Sequence, residues 1–204
     1  NTSSKLLDIQ LKLILTGRFA SVSTINVSAV TPTLTELQAF DAVQVHSNTA
    51  YASATGLGDV MADYVDAGGG VVCMMFECAV EPNNPGRAMA GRWDGQQYYL
   101  MPRGGHLEQA RATLGMVYDI WHPCMLGIDT FDGGNESFRP DRIDLISSAM
   151  RLADWSDGRP LVAAGFVNGA PRVDLGFYPV SSDIDNDFWH SDTDGAELMA
   201  NALL

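Results

Sequence analysis

Apolar and polar positions along Phe40–Glu77 follow two distinct periods. Val43 and Val45 belong to a short apolar run that ends at Ser47-Asn48, and Leu57, Val60, Met61, Tyr64 and Val65 then recur at helical spacing. Gly68-Gly69-Gly70 stops that helix, and Val71–Phe76 is almost wholly apolar. This order predicts a β-α-β unit whose second strand is covered on both faces, as in a parallel sheet. Open α/β sheets bind ligands at the carboxyl ends of their strands. Here those ends carry Ser47, Asn48, Glu77 and Cys78.

Upstream, Leu6, Leu7, Ile9, Leu11, Leu13, Ile14 and Leu15 are apolar almost all round a helix. That pattern predicts burial of the whole helix, with Gly17 as its stop. Val22–Val27 has strand composition, and Thr31-Pro32-Thr33 opens a short helix through Leu37, capped by Thr33 or Thr35. A parallel α/β sheet normally begins with a strand, so the first strand is expected upstream of Asn1. From 79 to 115, prolines and glycines punctuate an aromatic segment, which reads as a loop-rich insertion in a single 204-residue domain. The remainder reads as a meander: Ile143–Trp155, a turn at Asp157-Gly158, Leu161–Val167, a turn at Asn168-Gly169, then Arg172–Val180. Gly195–Leu204 closes the chain as a helix.

Charge narrows the partners. Twelve Lys and Arg face 25 Asp and Glu, a net charge of −13. This disfavours sequence-independent binding to nucleic acid, which depends on neutralising phosphates. No apolar run approaches the ~20 residues of a membrane helix. Three cysteines, Cys73, Cys78 and Cys124, form no disulfide framework and lean towards a reducing, cytoplasmic compartment. Asn-X-Ser sequons at Asn1, Asn26 and Asn135 point the other way.

Several segments resemble one family. Tyr64–Phe76 (YVDAGGGVVCMMF) resembles the third strand region of class I glutamine amidotransferase-like domains, particularly the ThuA-like branch. Trp155–Ala164 (WSDGRPLVAA) and Arg172–Asp183 (RVDLGFYPVSSD) resemble their closing strand pair, and Thr193–Leu203 (TDGAELMANAL) their last helix. The resemblance implies a flavodoxin-like, three-layer α/β/α sandwich with a mainly parallel sheet, its first strand absent here. Catalytic members carry a Cys on a tight elbow flanked by small residues, with a late His and Glu. Glu77-Cys78-Ala79 lacks the glycines, Pro82 follows early, and His190 has no His-X-Glu around it. Met75 stands near the place of a His found in many ThuA-like relatives.

Candidate chemistry is correspondingly thin. Cys78 beside Glu77 is the fallback nucleophile, although a neighbouring carboxylate raises a thiol's pKa and no His adjoins it. Ser47, Asn48, Ser181 and Ser182 would line the crevice. Arg92, Trp93, Tyr98 and Tyr99 in the insertion are residue types that anchor interfaces, with cover for the sheet edge as the alternative. Asp183, Asp185 and Asp187 alternate like the start of a calcium loop, but Phe188 replaces the expected Gly and position twelve is Asp194. His46, His106, His122 and His190 show no ligand spacing, and Gly68–Gly70 precedes a strand instead of opening a helix, so no nucleotide cofactor is implied. The expectation is a non-catalytic amidotransferase-like module that binds other protein chains or further domains. The alternative is a hydrolase or acyl-transfer enzyme, Cys-based or ThuA-like and sugar-related, using the crevice.

Overall fold

In a computed structural model, residues 3–77, 84–108 and 110–204 are described. Elements follow in the order α1 (Ser3–Leu15), α2 (Leu34–Leu37), β1 (Ala42–Val45), α3 (Ala54–Asp66), β2 (Gly70–Met74), α4 (Arg92–Gly95), β3 (His106–Leu107) and β4 (Leu114–Val117). Then come β5 (Arg139–Pro140), β6 (Met150–Trp155), β7 (Pro160–Val167), β8 (Ala170–Leu175) and α5 (Gly195–Leu203).

Six strands form one sheet in the order β1-β2-β8-β7-β6-β4, and β3 pairs with β5 in a separate ribbon. β1, β2 and β8 are adjacent and parallel, β7 is antiparallel to β8, β6 to β7 and β4 to β6. β6 therefore points the same way as β1, β2 and β8, which gives the sheet its dominant direction. Alternation along β2 sorts the core into two layers. Val72 and Met74 join Ile9, Leu13, Leu198 and Met199 under α1 and α5. Val71 and Cys73 join Leu57, Met61, Trp93 and Tyr98 under α3 and the insertion. The result is the α/β/α sandwich read from the sequence.

Local signals explain the element ends. Thr33 and Glu36 form a reciprocal capping box at α2, Ser53 caps α3 by accepting from Gly56 N, and Gly68, at φ 95°, takes the chain out of α3. Asn168 and Gly169, both at positive φ, make the β7–β8 hairpin turn.

Three expectations are corrected. Val22–Val27 is irregular and not a strand: Val22 O accepts from Gln10 Nε2 of α1 and Val27 O from Ala52 N of the loop before α3, neither of them in the sheet. α1 is amphipathic, not buried all round: Leu7, Leu11, Ile14 and Leu15 are exposed, Leu15 by 78%. The strands of the meander are shorter than their apolar runs, since Ile143–Ala149 lacks strand structure and β8 ends at Leu175 before Gly176.

Candidate functional site

The carboxyl ends of β1, β2 and β8 meet where the β-α-β unit and the hairpin join. Backbone bonds close them together: Phe76 N donates to Ser47 O, and Met75 N to Phe177 O, each over 3.1 Å. Glu77 leaves this junction pointing inward. Its Oε2 accepts from Tyr51 OH and from Met89 N, both at 2.9 Å. Burial pushes the carboxyl up to about 8, outweighing the Met89 N–H and the positive charge of Arg103, so at neutral pH it is mainly protonated.

A second carboxyl fastens the insertion to the sheet. Asp174 Oδ2 accepts from Leu100 N and Met101 N, each at 2.8 Å. Arg172, two residues earlier on β8 and so on the same face, pairs with Asp174 Oδ1 at 3.0 Å. Its guanidinium also donates to Tyr98 O at 2.9 Å and lies 4.6 Å from the centroid of the Trp93 ring. Both side chains are fully buried. The chain passes so close to α3 that a Cβ on Gly58 would lie 1.9 Å from Ala90 O.

Aromatic side chains cluster around Phe76 beside this junction, while Ser47, Asn48 and Tyr51 line a cavity of about 730 Å³. Phe76 meets His106, Phe138 and Tyr178 at ring distances of 4.7, 5.2 and 5.4 Å, and Arg87 lies 4.2 Å over its face. Lys5 reaches across from α1 to within 4.8 Å of the Phe188 ring, and burial lowers its pKa.

The sequence-predicted residues separate. Ser47 is buried and Asn48 half-buried beside β1. Ser181 turns to α1 instead, giving its N–H and hydroxyl to the two oxygens of Asp8 at 2.7 and 2.9 Å, while Ser182 Oγ accepts from Ser191 N. Trp93 and Tyr98 stack inside the core and offer no contact surface. Tyr99 is half-buried, and Arg92 is paired to Asp63 and Asp66 of α3. Asp183 is bonded to Lys12 and Ser191 Oγ, and Asp185 Oδ1 accepts from Asp187 N, a local turn and not a cage. Among the described residues no cluster of three His, Cys, Asp or Glu could hold a metal ion. Cys78 lies outside the described residues. Cys73 and Cys124 are buried, and burial raises the pKa of both, that of Cys124 to about 11.

Sequence reasoning missed Tyr51, Asp8, Arg172 and Asp174. Only the last two left a signal: an Arg and an Asp two residues apart inside an apolar strand share one face and pair there.

No family model and no curated protein matches the chain. Solved structures do match in fold. The cytoplasmic protein STM1381 from Salmonella typhimurium LT2 is 12% identical with a TM-score of 0.63, over 95% of this chain and 84% of that one. A protein from Bacteroides uniformis described as ThuA-like is 13% identical with a TM-score of 0.62, over 99% and 85%. The exo-beta-1,4-mannosidase Op5Man5 from an Opitutaceae bacterium is 17% identical with a TM-score of 0.51, over 86% of this chain but 26% of that one. The fold is ThuA-like. Among the described residues, no helix is long and apolar enough to cross a membrane.

Proposed function

We propose that this chain is a non-catalytic amidotransferase-like domain, a binding or structural module within a larger protein or assembly. The observation that carries this reading is that buried carboxyls near the strand ends are committed to holding the fold together. Glu77 and Asp174, buried carboxyls near the strand ends, are occupied in fastening the insertion to the sheet. The described thiols are buried with raised pKa values, the reverse of an activated nucleophile. Outside, Leu7, Leu11, Ile14 and Leu15 put an apolar stripe on the exposed face of α1, which fits contact with another domain or chain. Op5Man5 carries a similar fold over about a quarter of its length, so the fold also serves as one part of a longer protein.

The alternative, a hydrolase or acyl-transfer enzyme, draws on one observation: Glu77 is a carboxyl whose pKa lies near neutrality, as general acids require. Native purification followed by mass measurement of the intact and complexed protein separates the two. Stoichiometric partners or a longer polypeptide support the module. A free monomer that hydrolyses esters or amides, with activity lost in Glu77→Gln or Cys78→Ala, overturns it.

A further inference from the structure

Asn168-Gly169 is the only Asn-Gly pair in the sequence, and it forms the two-residue turn between β7 and β8. Both residues are exposed, and both lie at positive φ, 51° and 86°. A Cβ built on Gly169 would meet nothing within 4 Å, so the surroundings of this peptide are open to solvent.

The Asn168 side chain is nevertheless held. Its Nδ2 donates to Asp66 Oδ1, in the last residue of α3, at 2.7 Å, and to the Tyr98 hydroxyl of the insertion at 3.1 Å. Tyr98 OH donates in turn to the same Asp66 oxygen at 2.8 Å, and Arg92 pairs with the other one. The Asn168 amide is the foremost of the groups that hold the Asp66 carboxyl below its usual range. One amide group thus fastens the turn to both α3 and the insertion.

We propose that Asn168-Gly169 is a self-modification site, a latch that opens when the Asn168 amide is lost as ammonia. The Gly169 nitrogen gives its proton to hydroxide and attacks Asn168 Cγ, which the absence of a Gly169 side chain leaves approachable. A new N–Cγ bond closes a succinimide ring, the Cγ–Nδ2 bond breaks, and the departing nitrogen takes a proton from water and leaves as ammonia. Water then adds to one of the two ring carbonyls. Opening at Cγ leaves aspartate, and opening at the backbone carbonyl leaves isoaspartate, whose main chain runs through the side-chain carbons. In sum, Asn and water give Asp or isoaspartate and ammonia, with nothing oxidised or reduced.

The product cannot remake the contacts. A carboxylate has no N–H to give, and it sets a second negative charge against Asp66 where the amide stood at 2.7 Å. The Tyr98 hydroxyl has already committed its proton to Asp66, and Arg92 already serves Asp63 and Asp66. Isoaspartate also lengthens the main chain of a turn whose length sets the hairpin register. The latch governs its own rate as well. While Nδ2 is bonded to Asp66, Cγ is held towards α3, so ring closure waits on release of that contact.

The test ages wild type, Asp66→Ala and Asn168→Gln at mildly alkaline pH and maps their peptides for the exchange of NH2 for OH and for isoaspartate. Wild type converts at Asn168 before the exposed Asn26 and Asn135, and Asp66→Ala converts there about threefold faster. Asn168→Gln stays intact at this position, because its longer side chain would have to close a larger ring. Hydrogen exchange is then read on aged wild type and on Asn168→Asp. Amides of residues 167–170 exchange about tenfold faster in both, the scale of one hydrogen bond to a charged group. Conversion at Asn168 no faster than at Asn26 or Asn135 overturns the modification site. Conversion that leaves exchange at the turn unchanged overturns the latch, as does an equal rate in wild type and Asp66→Ala.

Discussion

Tyr51 donates its hydroxyl to the Glu77 carboxyl across 2.9 Å, tying the later part of the β1–α3 connection to the turn after β2. The same oxygen accepts from Met89 N, so a single buried atom joins the β-α-β unit to the insertion.

This lock is sensitive to alkali. The folded-state pKa of Glu77 is raised from 4.5 to about 8, so the folded protein binds the proton more tightly than the unfolded chain. Its contribution is complete below pH ~4.5, declines between there and about 8, and is lost above that. Glu77→Gln keeps an acceptor for Tyr51 and Met89 and removes the titration. The difference in Tm between wild type and variant should therefore move in the variant's favour as pH rises from 5 to 9. A constant difference across that range counts against a raised pKa.

Arg172 and Asp174 form a buried pair whose members cannot be removed singly without cost. Asp174→Asn still accepts from Leu100 and Met101 but leaves the guanidinium without its counter-charge, a loss of about 3–5 kcal/mol. Arg172→Met should destabilise by a comparable amount. The double variant should cost less than the sum, with a coupling of about 0.5–3 kcal/mol in urea unfolding. Strict additivity would mean the two charges act independently.

Gly58 sits inside α3, where alanine ordinarily gains about 1 kcal/mol over glycine. Its absent side chain leaves room for the Ala90 carbonyl, which a Cβ would approach to 1.9 Å. Gly58→Ala should therefore destabilise the protein by about 1–3 kcal/mol, the usual range for overpacking. A gain in Tm would show that the insertion can lift off α3 freely.

The apolar stripe of α1 should separate stability from association. Leu11→Lys with Leu15→Lys alters exposed positions and should change unfolding by no more than ~0.5 kcal/mol per site. In the assembly proposed above, the same pair of changes should release the partner domain or chain, seen as a smaller mass on native separation. Retention of the full assembly would place the interface elsewhere.

How far the sequence carried depended on whether a signal was local. Val43–Phe76 was legible because its period switches from strand to helix and back within one unit, and the β7–β8 hairpin because Asn168-Gly169 announces its turn. β4 was not, since Leu114–Val117 is an edge strand of four residues with an exposed Met116. β3 and β5 are two residues each, too short for any period. The burial of Trp93 and Tyr98 depends on Arg172, more than seventy positions away, and composition alone reads such residues equally well as a surface. Val22–Val27 had strand character without a neighbour to bond.

β8 also sets the order in which the molecule can assemble. Its pairing with β7 closes across two residues, whereas its pairing with β2 joins Val71 to Arg172 across 101 positions. β6, β7 and β8 can thus collapse early as a local meander, while the parallel half waits on a slow loop closure. Substitutions in the β7–β8 turn should slow refolding, and those between β2 and β8 should mainly hasten unfolding. The strand that unites the two halves of the sheet is thus the kinetic gate through which the finished domain is reached.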